Sequence, residues 1–337
     1  MKDHVIIFTA KEKAEFLETE FDETLTGDEI LVKDDYDLVS AGTELANYRA
    51  LPNTGACTKG FPYTCGYSAS GHVVAVGPEA KLVKVGDRVV VNWGDHRCYF
   101  KRSETQVVKI PEGVDMKCAA YTHLASFPML AIRRLGIEIG EPVMIAGLGL
   151  LGQFAVQFAR LSGAYPVLAC DYSAERRELA GRLGADAVFD PREADFIERV
   201  KTATEGKGPA AVVEVTGAIS ALQQALEYVA RNGRIALLGC TRVSDRYIDF
   251  YKYVHLRGIQ LIGAHTKTRP KSESRPGEWT EIDDYRAILN LLKAGRIQVS
   301  PLIGEVVSAG DAADVYRRLN ASQEPPLGVL LDWTRVE

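Results

Sequence analysis

A glycine-rich segment at residues 142–159, PVMIAGLGLLGQFAVQFA, constrains the fold of this chain more than any other. Gly147, Gly149 and Gly152 have the spacing GxGxxG, directly after an apolar run and directly before a run with helical periodicity. In that setting the first glycine permits a tight turn, the second lets a pyrophosphate approach the backbone, and the third lets the helix pack on the strand. The segment therefore predicts a strand, a phosphate-binding loop and a helix.

The next apolar run, YPVLAC at 165–170, is followed by Asp171, about 20 residues after Gly152. An acidic side chain at this place accepts hydrogen bonds from both ribose hydroxyls of an adenosine and repels a 2′-phosphate. The expected cofactor is therefore NAD, held by the three glycines and Asp171. Arg176 and Arg177 follow on the predicted helix, where an arginine either swings toward a 2′-phosphate or lies along the adenosine face.

The pattern of apolar and polar residues changes near residue 140. From 30 to 111, short runs rich in Val and Ile are punctuated by Gly and Pro, which predicts a compact β barrel or sandwich. From about 140 to 263, apolar runs alternate with segments of mostly helical periodicity, which predicts an α/β domain with a doubly wound parallel sheet. The predicted strands of that sheet are 143–146, 166–170, 187–189, 211–215, 235–238 and 259–262.

The chain changes again after residue 264. A polar stretch with two prolines, TKTRPKSESRPGEWTEIDD, predicts a long surface loop. DDYRAILNLLKAG then has apolar residues at helical spacing, and GVLLDW predicts one more strand. This tail must pack on one of the two preceding regions, and the pattern alone does not say which.

Several motifs spread over the chain carry a family resemblance. They are VSAGTE (39–44), GYSASGHVVAVG (66–77), KVGDRVVV (84–91), AIRRLGIEIGEPVMIAGLGLLG (131–152), GADAVFD (184–190), VVEVTG (212–217) and GRIALLG (233–239). With these motifs the chain resembles the medium-chain dehydrogenase/reductase superfamily, the relatives of zinc alcohol and polyol dehydrogenases.

The resemblance implies a Rossmann domain inserted into a GroES-like, β-rich catalytic domain. Residues 1–123 and 264–337 would form the catalytic domain, and residues 124–263 the NAD-binding domain. Beyond the glycines, Asp171 and Arg176, the expected cofactor contacts are Leu150, Leu151, Thr216 and Gly239.

The residues that bind zinc in this superfamily are replaced here. Ala41 stands where a zinc-binding member has cysteine, Tyr67 and Ser68 where it has His-Glu, and His123 at the third ligand position. One imidazole cannot make a three-ligand catalytic site, and Cys98 alone remains where the four-cysteine structural lobe would be. We therefore expect no metal, as in a zinc-free branch that includes bacteriochlorophyllide hydroxyethyl dehydrogenase-type oxidoreductases.

Without a metal, side chains must take the substrate proton and stabilise the developing alkoxide. The resemblance places Thr43 as a hydroxyl relay, with Tyr67 and His123 at vacated ligand positions in the same cleft. Either Tyr67 or His123 is the expected general acid/base. Glu44 either hydrogen-bonds a substrate hydroxyl or anchors its own loop, and a surface loop explains His96 at least as well as a place beside the cleft.

The expected activity is zinc-independent, NAD-linked hydride transfer between nicotinamide and a secondary alcohol or ketone, with a sugar or polyol among the candidates. Two alternatives stay open. Zinc-free members of the superfamily also reduce activated double bonds in quinones and enoyl compounds, although Asp171 argues against the NADPH that they usually prefer. A nucleotide-binding protein that has lost catalysis would also lack the metal ligands.

Charge and composition limit the partners. The 40 basic and 45 acidic residues give a net charge of −5, which argues against nucleic acid and anionic membranes. Apolar runs are too short for a secretory signal or a membrane span, and the six cysteines form no CxxC pair, so a cytoplasmic protein with reduced thiols is expected. The expected partners are a small-molecule substrate and a second copy of the chain, paired through the edge strand RGIQLIG as in the family.

Overall fold

The computed structural model describes residues 1–336, which fold as two compact units. Met1–Leu124 and the chain from Tyr285 onward form one of them, which we call the split unit. Ala125–Asp284 form the other, which we call the inserted unit. The chain thus has the inserted architecture that the motifs predict.

The strands, in chain order, are β1 (Lys2–Ala10), β2 (Lys13–Glu20), β3 (Glu29–Val39), β4 (Tyr63–Thr64), β5 (Ser68–Val76), β6 (Arg88–Asn92), β7 (Tyr99–Ser103), β8 (Val108–Lys109), β9 (Val143–Ala146), β10 (Val167–Cys170), β11 (Ala187–Phe189), β12 (Ala211–Glu214), β13 (Arg234–Leu237), β14 (Gln260–Gly263), β15 (Ile303–Ser308) and β16 (Gly328–Asp332).

The α-helices are α1 (Ala41–Tyr48), α2 (Gly55–Lys59), α3 (Met116–Ala119), α4 (Thr122–Leu135), α5 (Leu150–Leu161), α6 (Ala174–Leu183), α7 (Phe196–Thr202), α8 (Ile219–Tyr228), α9 (Glu281–Lys293) and α10 (Ala312–Ala321). Among the helices of residues 1–336, none combines the length and apolarity that crossing a membrane requires.

The inserted unit contains a six-stranded parallel sheet with the order β11-β10-β9-β12-β13-β14. This order reverses between β9 and β12, which is the topology of a doubly wound dinucleotide-binding sheet. Every residue of β9, β10 and β12 is buried, as expected when both faces of a sheet are covered. The predicted strands agree with the observed ones to within a residue or so at each end.

The split unit is built from two sheets. One has the order β15-β16-β3-β5-β6-β8, with β7 also paired to β3, and the other has the order β2-β1-β4. The tail strand β16 runs antiparallel to β3, with Val329 opposite Val39. The carboxy-terminal tail therefore packs on the amino-terminal part of the chain, as the resemblance implies. Trp333, just beyond β16, has no exposed surface.

The second domain boundary differs from the predicted one. The sequence places the return to the catalytic domain at residue 264, whereas the inserted unit extends to Asp284. Side chains of α4 hold the intervening loop: the Arg134 guanidinium donates to the carbonyl oxygens of Gly263 and Thr268, at 2.5 and 3.1 Å. Composition identified this stretch as a loop, but the contacts that hold a loop are not visible in composition.

Candidate active site

The turn between β9 and α5 is built on two glycines. Gly147 has a φ of +99°, in the left-handed region that other residues rarely adopt. A Cβ at Gly152 would stand 1.9 Å from the Gly147 carbonyl oxygen, so α5 packs directly against this turn. Gly149 is the N-cap of α5, and Leu150 and Leu151 are its first residues. Backbone amides at such a helix start are suited to bind phosphate oxygens.

Asp171 lies next to this loop at the end of β10. Its Oδ2 accepts from the backbone amide of Leu148 at 2.7 Å, and its Oδ1 accepts from the amide of Ser173 at 2.9 Å. Asp171, Gly147 and Thr216 line one cavity beyond the carboxyl ends of β9, β10 and β12. Open α/β sheets bind their ligands at this edge, so the structure brings these predicted cofactor residues together where a dinucleotide would lie.

The loop after β12 completes the cavity wall. The Glu214 carboxylate accepts from the backbone amides of Thr216 and Gly217, at 2.8 and 3.1 Å, and from the Thr216 hydroxyl. Burial raises the pKa of Glu214, and these hydrogen bonds oppose the rise. Gly239 follows β13 and donates its amide to the Glu214 carbonyl oxygen at 2.8 Å. Glu214 thus shapes the segment that carries Thr216, a role not predicted from the sequence.

The arginines near Asp171 differ in their hydrogen-bond partners. Arg177 donates to the carbonyl oxygen of Asp171 at 2.7 Å and to Asp190 Oδ2 at 3.3 Å. Arg192 holds the same Asp190 carboxylate through two nitrogens, at 2.9 and 2.5 Å, and lowers the pKa of Asp190. Arg176 is half-buried in the first turn of α6, and its carbonyl oxygen accepts from Gln153. Arg177 and Arg192 are therefore committed to fixing the Asp190 loop.

In the split unit the structure brings Tyr67 and His123 together. Their ring centroids are 5.3 Å apart in an edge-to-face contact. Trp93 packs on both rings, with centroids 4.8 Å from His123 and 5.6 Å from Tyr67. The Trp93 side chain is 54% exposed and its φ is +52°, an unusual value for a large residue. Tyr67, His123 and Trp93 form what we call the aromatic cluster.

Two hydrogen bonds extend the aromatic cluster to residues that the sequence analysis missed. The Tyr67 hydroxyl donates to Ser40 Oγ, and Nδ1 of His123 is hydrogen-bonded to the Tyr285 hydroxyl. Ser40 precedes the AGTE segment directly, so its position was a usable signal, whereas Tyr285 lies in α9 and has no local one. Thr43 stands in the first turn of α1, where its amide donates to the Ser40 carbonyl oxygen at 3.1 Å.

Glu44 and His96 lie in the core of the split unit. Glu44 is 1% exposed and accepts from the Ser40 amide at 2.9 Å, from the Tyr316 hydroxyl and from His96 Nε2 at 3.1 Å. The structure thus shows Glu44 anchoring its own loop, the second of the two roles considered. The interpretation of His96 as a surface-loop residue was wrong, because its side chain has no exposed surface. Its Nδ1 pairs with Asp37 Oδ2 at 2.8 Å.

The charge state of His96 follows from these partners. Burial by itself would lower the pKa of His96, but the carboxylates of Glu44 and Asp37 together raise it to about 10. Burial likewise pushes the pKa of Glu44 upward, yet His96 and the hydrogen bonds bring it below its usual value. His96 is therefore an imidazolium that donates from both nitrogens.

The side chains at the superfamily's catalytic zinc positions do not fit the metal. The Ala41 methyl has no donor atom, and the Tyr67 hydroxyl is bonded to Ser40. Ser68 Oγ donates to the Ala120 carbonyl oxygen at 2.6 Å. A catalytic zinc needs three protein ligands and one open position, and His123 alone does not provide them.

A second set of donor atoms, on Glu44, Cys65 and His96, lies within 4.8 Å of one another and is buried. Zinc would require a thiolate and an imidazole with a bare nitrogen. In the structure both His96 nitrogens instead bond to carboxylates, and Cys65 Sγ lies 3.5 Å from the Tyr316 hydroxyl. These three side chains thus belong to a buried hydrogen-bond network in which both His96 nitrogens are already bonded.

Known proteins resemble this chain over most of its length. Residues 37–129 match the alcohol dehydrogenase GroES-like domain, and residues 151–283 match the zinc-binding dehydrogenase family. D-guloside 3-dehydrogenase of Escherichia coli (strain K12) is 24% identical over 92% of this chain and 94% of its own. L-threonine 3-dehydrogenase of Pyrococcus furiosus is 30% identical over 72% of this chain and 74% of its own.

A solved structure has the same fold. A zinc-binding dehydrogenase from Sinorhizobium meliloti 1021, determined with bound NADP, superposes with a TM-score of 0.83. It is 21% identical, and the match covers 98% of this chain and 99% of the other.

Proposed function

The chain belongs to the medium-chain dehydrogenase/reductase superfamily of zinc-type alcohol and polyol dehydrogenases, and from that premise we propose that it is a zinc-independent, NAD-linked oxidoreductase of secondary alcohols and ketones. Membership makes it an NAD(P)-dependent dehydrogenase or reductase. The observation that carries the finer proposal is the aromatic cluster: Tyr67 and His123 occupy vacated zinc-ligand positions, touch each other, and each engages a further hydroxyl.

The aromatic cluster can handle the substrate proton. NAD, when bound, accepts the hydride from the carbinol carbon. In the oxidation direction His123 or Tyr67 takes the proton of the carbinol O–H, and Ser40 Oγ, which already bonds Tyr67, lies next in line to pass a proton outward. Thr43 adds a second hydroxyl one turn along α1. The half-exposed Trp93 ring, which contacts both Tyr67 and His123, offers a flat amphipathic surface that suits the apolar face of a sugar or polyol.

The choice of NAD over NADP rests on Asp171 and on the ion pairs of the neighbouring arginines. A 2′-phosphate would meet the Asp171 carboxylate, which costs electrostatic energy. Arg177 and Arg192, which could offset that cost, are tied to Asp190. The NADP-bound relative makes a direct measurement necessary, and binding of NADH and NADPH should be compared by fluorescence titration.

The proposal is tested with purified protein, NAD and a panel of secondary alcohols that includes sugars and polyols. We expect substrate-dependent NADH formation that survives EDTA, with less than one equivalent of zinc per chain by elemental analysis. Stoichiometric zinc together with loss of activity in EDTA would overturn zinc independence. Reduction of quinones or enoyl compounds with no oxidation of any alcohol would overturn the substrate class.

The catalytic assignment is tested by Tyr67→Phe and His123→Ala. Each should lower turnover by about 10²- to 10⁴-fold, the usual cost of removing a positioned acid or base, while NAD affinity stays nearly constant. Thr43→Val should behave similarly if its hydroxyl belongs to the relay. Tyr165→Phe removes a phenol hydroxyl from a side chain that is 66% exposed, and serves as the control. Full turnover in all three variants would show that other residues carry out the proton transfer.

A further inference from the structure

The proton transfer through Tyr67, His123 and Ser40 does not itself involve the hydrogen bond between His123 and Tyr285. His123 lies in the first turn of α4 and Tyr285 in α9, and both are buried, at 2% and 1% exposure. The Tyr285 hydroxyl meets Nδ1 of the imidazole. Burying two polar groups against each other is favourable only when they pair, so this bond restricts where both side chains can lie.

Aromatic contacts restrict the His123 ring from several directions. Trp93, Tyr67 and Tyr285 each meet it edge to face, with interplanar angles of 77°, 74° and 85°. A ring packed in this way cannot exchange its two nitrogens by turning over without displacing its neighbours. Nδ1 therefore stays on the Tyr285 side, and Nε2 is the nitrogen through which His123 can exchange a proton.

Buried charges hold the start of α9 to α4. Asp284, which has no exposed surface, pairs with Arg133 of α4 at 2.9 Å and with Arg269 at 3.1 Å. The Arg133 guanidinium also lies 3.8 Å over the Trp279 ring. Because Tyr285 follows Asp284 in the chain, this ion-pair network anchors the helix turn that carries the phenol. A buried pair is costly to break, so the anchor is firm.

We propose that Tyr285 is a positioning residue that accepts a hydrogen bond from Nδ1–H of His123 and so keeps Nε2 as the nitrogen that exchanges the substrate proton. The inference rests on the proposed function for its catalytic consequence. In alcohol oxidation the Nε2 lone pair takes the carbinol proton while the hydride leaves with its electron pair. Nδ1 keeps its own proton throughout, and the Tyr285 oxygen faces the imidazolium that forms. An imidazole needs such a partner because its free tautomers interconvert.

The test is histidine ¹⁵N NMR of the full chain, with the His123 signals assigned by their loss in His123→Gln. Wild type should show neutral His123 as the Nδ1–H tautomer, and Tyr285→Phe should shift it toward Nε2–H. Tyr48→Phe is the matched control: its buried hydroxyl donates to the Glu12 carbonyl oxygen at 2.6 Å, away from the aromatic cluster. It should leave the His123 tautomer unchanged.

Kinetics give the second readout. Tyr285→Phe should lower kcat by at least about tenfold, as expected when an orienting partner is lost, with little change in the KM for NAD. A wild-type Nε2–H tautomer, or an unchanged tautomer in Tyr285→Phe, would overturn the inference whether or not the enzyme is active. If wild type oxidises no alcohol, the proposed function fails, while the tautomer measurement still decides the role of Tyr285.

Discussion

His96 has two carboxylate partners and no exposed surface, so its protonation is linked to the stability of the split unit. In the unfolded chain the imidazole titrates near its ordinary value of about 6.5, whereas in the folded protein the pKa is raised to about 10. A pKa raised by folding adds stability that is fully present below the unfolded value. The stabilisation declines once the pH exceeds the pKa of the unfolded state, and it is lost as the pH passes the pKa of the folded state.

We therefore predict that wild type loses thermal stability between pH 7 and 10, and that His96→Gln lacks this part of the loss.

Truncation of the His96 side chain should also lower stability at pH 7. His96→Ala leaves Glu44 and Asp37 buried without their cation, and should lower the free energy of unfolding by about 3–5 kcal/mol. Urea titrations of wild type and variant measure the difference, and a cost below about 1 kcal/mol would contradict a buried imidazolium.

Asp171 determines cofactor choice by the same electrostatic reasoning. Asp171→Ser removes a carboxylate that pairs with ribose hydroxyls and repels phosphate, so NAD should bind more weakly and NADP relatively better. Glu175→Gln, which removes the same charge from an exposed position on α6, is the control and should change neither affinity. A wild type that already prefers NADPH would show that Arg176 or its neighbours take the 2′-phosphate.

At the scale of elements, the contact between α5 and the turn after β9 depends on the absence of a side chain at Gly152. Gly152→Ala places a methyl group against the Gly147 carbonyl oxygen and must push the helix start away from the loop. We expect a loss of NAD binding, measured by calorimetry, that exceeds any loss of secondary structure.

Gly181→Ala gives the matched comparison. Gly181 is exposed within α6, and a Cβ there would meet nothing within 4 Å. Because alanine favours a helix interior over glycine by about 0.5–1 kcal/mol, this variant should be as stable as wild type or more so, and should bind NAD normally. Normal NAD binding by both variants would contradict the prediction, because it would show that the turn after β9 can shift without loss of affinity.

At the scale of the whole molecule, we predict a homodimer. β14 is the last strand in the order of its sheet, and an edge strand can pair with a second copy across a two-fold axis. The segment before it exposes large aromatic side chains, with Tyr247 83%, Phe250 56% and Tyr251 64% exposed. Apolar exposure of this extent is typical of an interaction surface.

Light scattering at micromolar concentration should give the mass of two chains. Phe250→Glu places a charge within the aromatic surface and should shift the protein toward monomer. Ile139→Glu alters an apolar residue, 93% exposed, that lies outside the 247–251 segment, and it should leave the mass unchanged. A strictly monomeric wild type would contradict the prediction.

The sequence by itself determined the strands of the inserted unit and the position of its cofactor loop. The strands of the inserted unit are apolar runs of four or so residues, and the loop depends on glycines whose constraint is local, so both are visible in neighbouring residues. The motifs also placed the tail strand in the split unit and singled out Tyr67 and His123, which do lie in contact.

Only the tertiary structure decided which side chains meet. The sequence offers a surface loop or the edge of the cleft for His96. Its partners Asp37 and Glu44 come from distant segments, and pairing with them makes its burial possible. Tyr285 reaches His123 from 162 positions away in the chain. Local patterns specify helices, strands and turns because those depend on near neighbours. Long-range pairing depends on how the elements pack, and composition and periodicity contain no record of it.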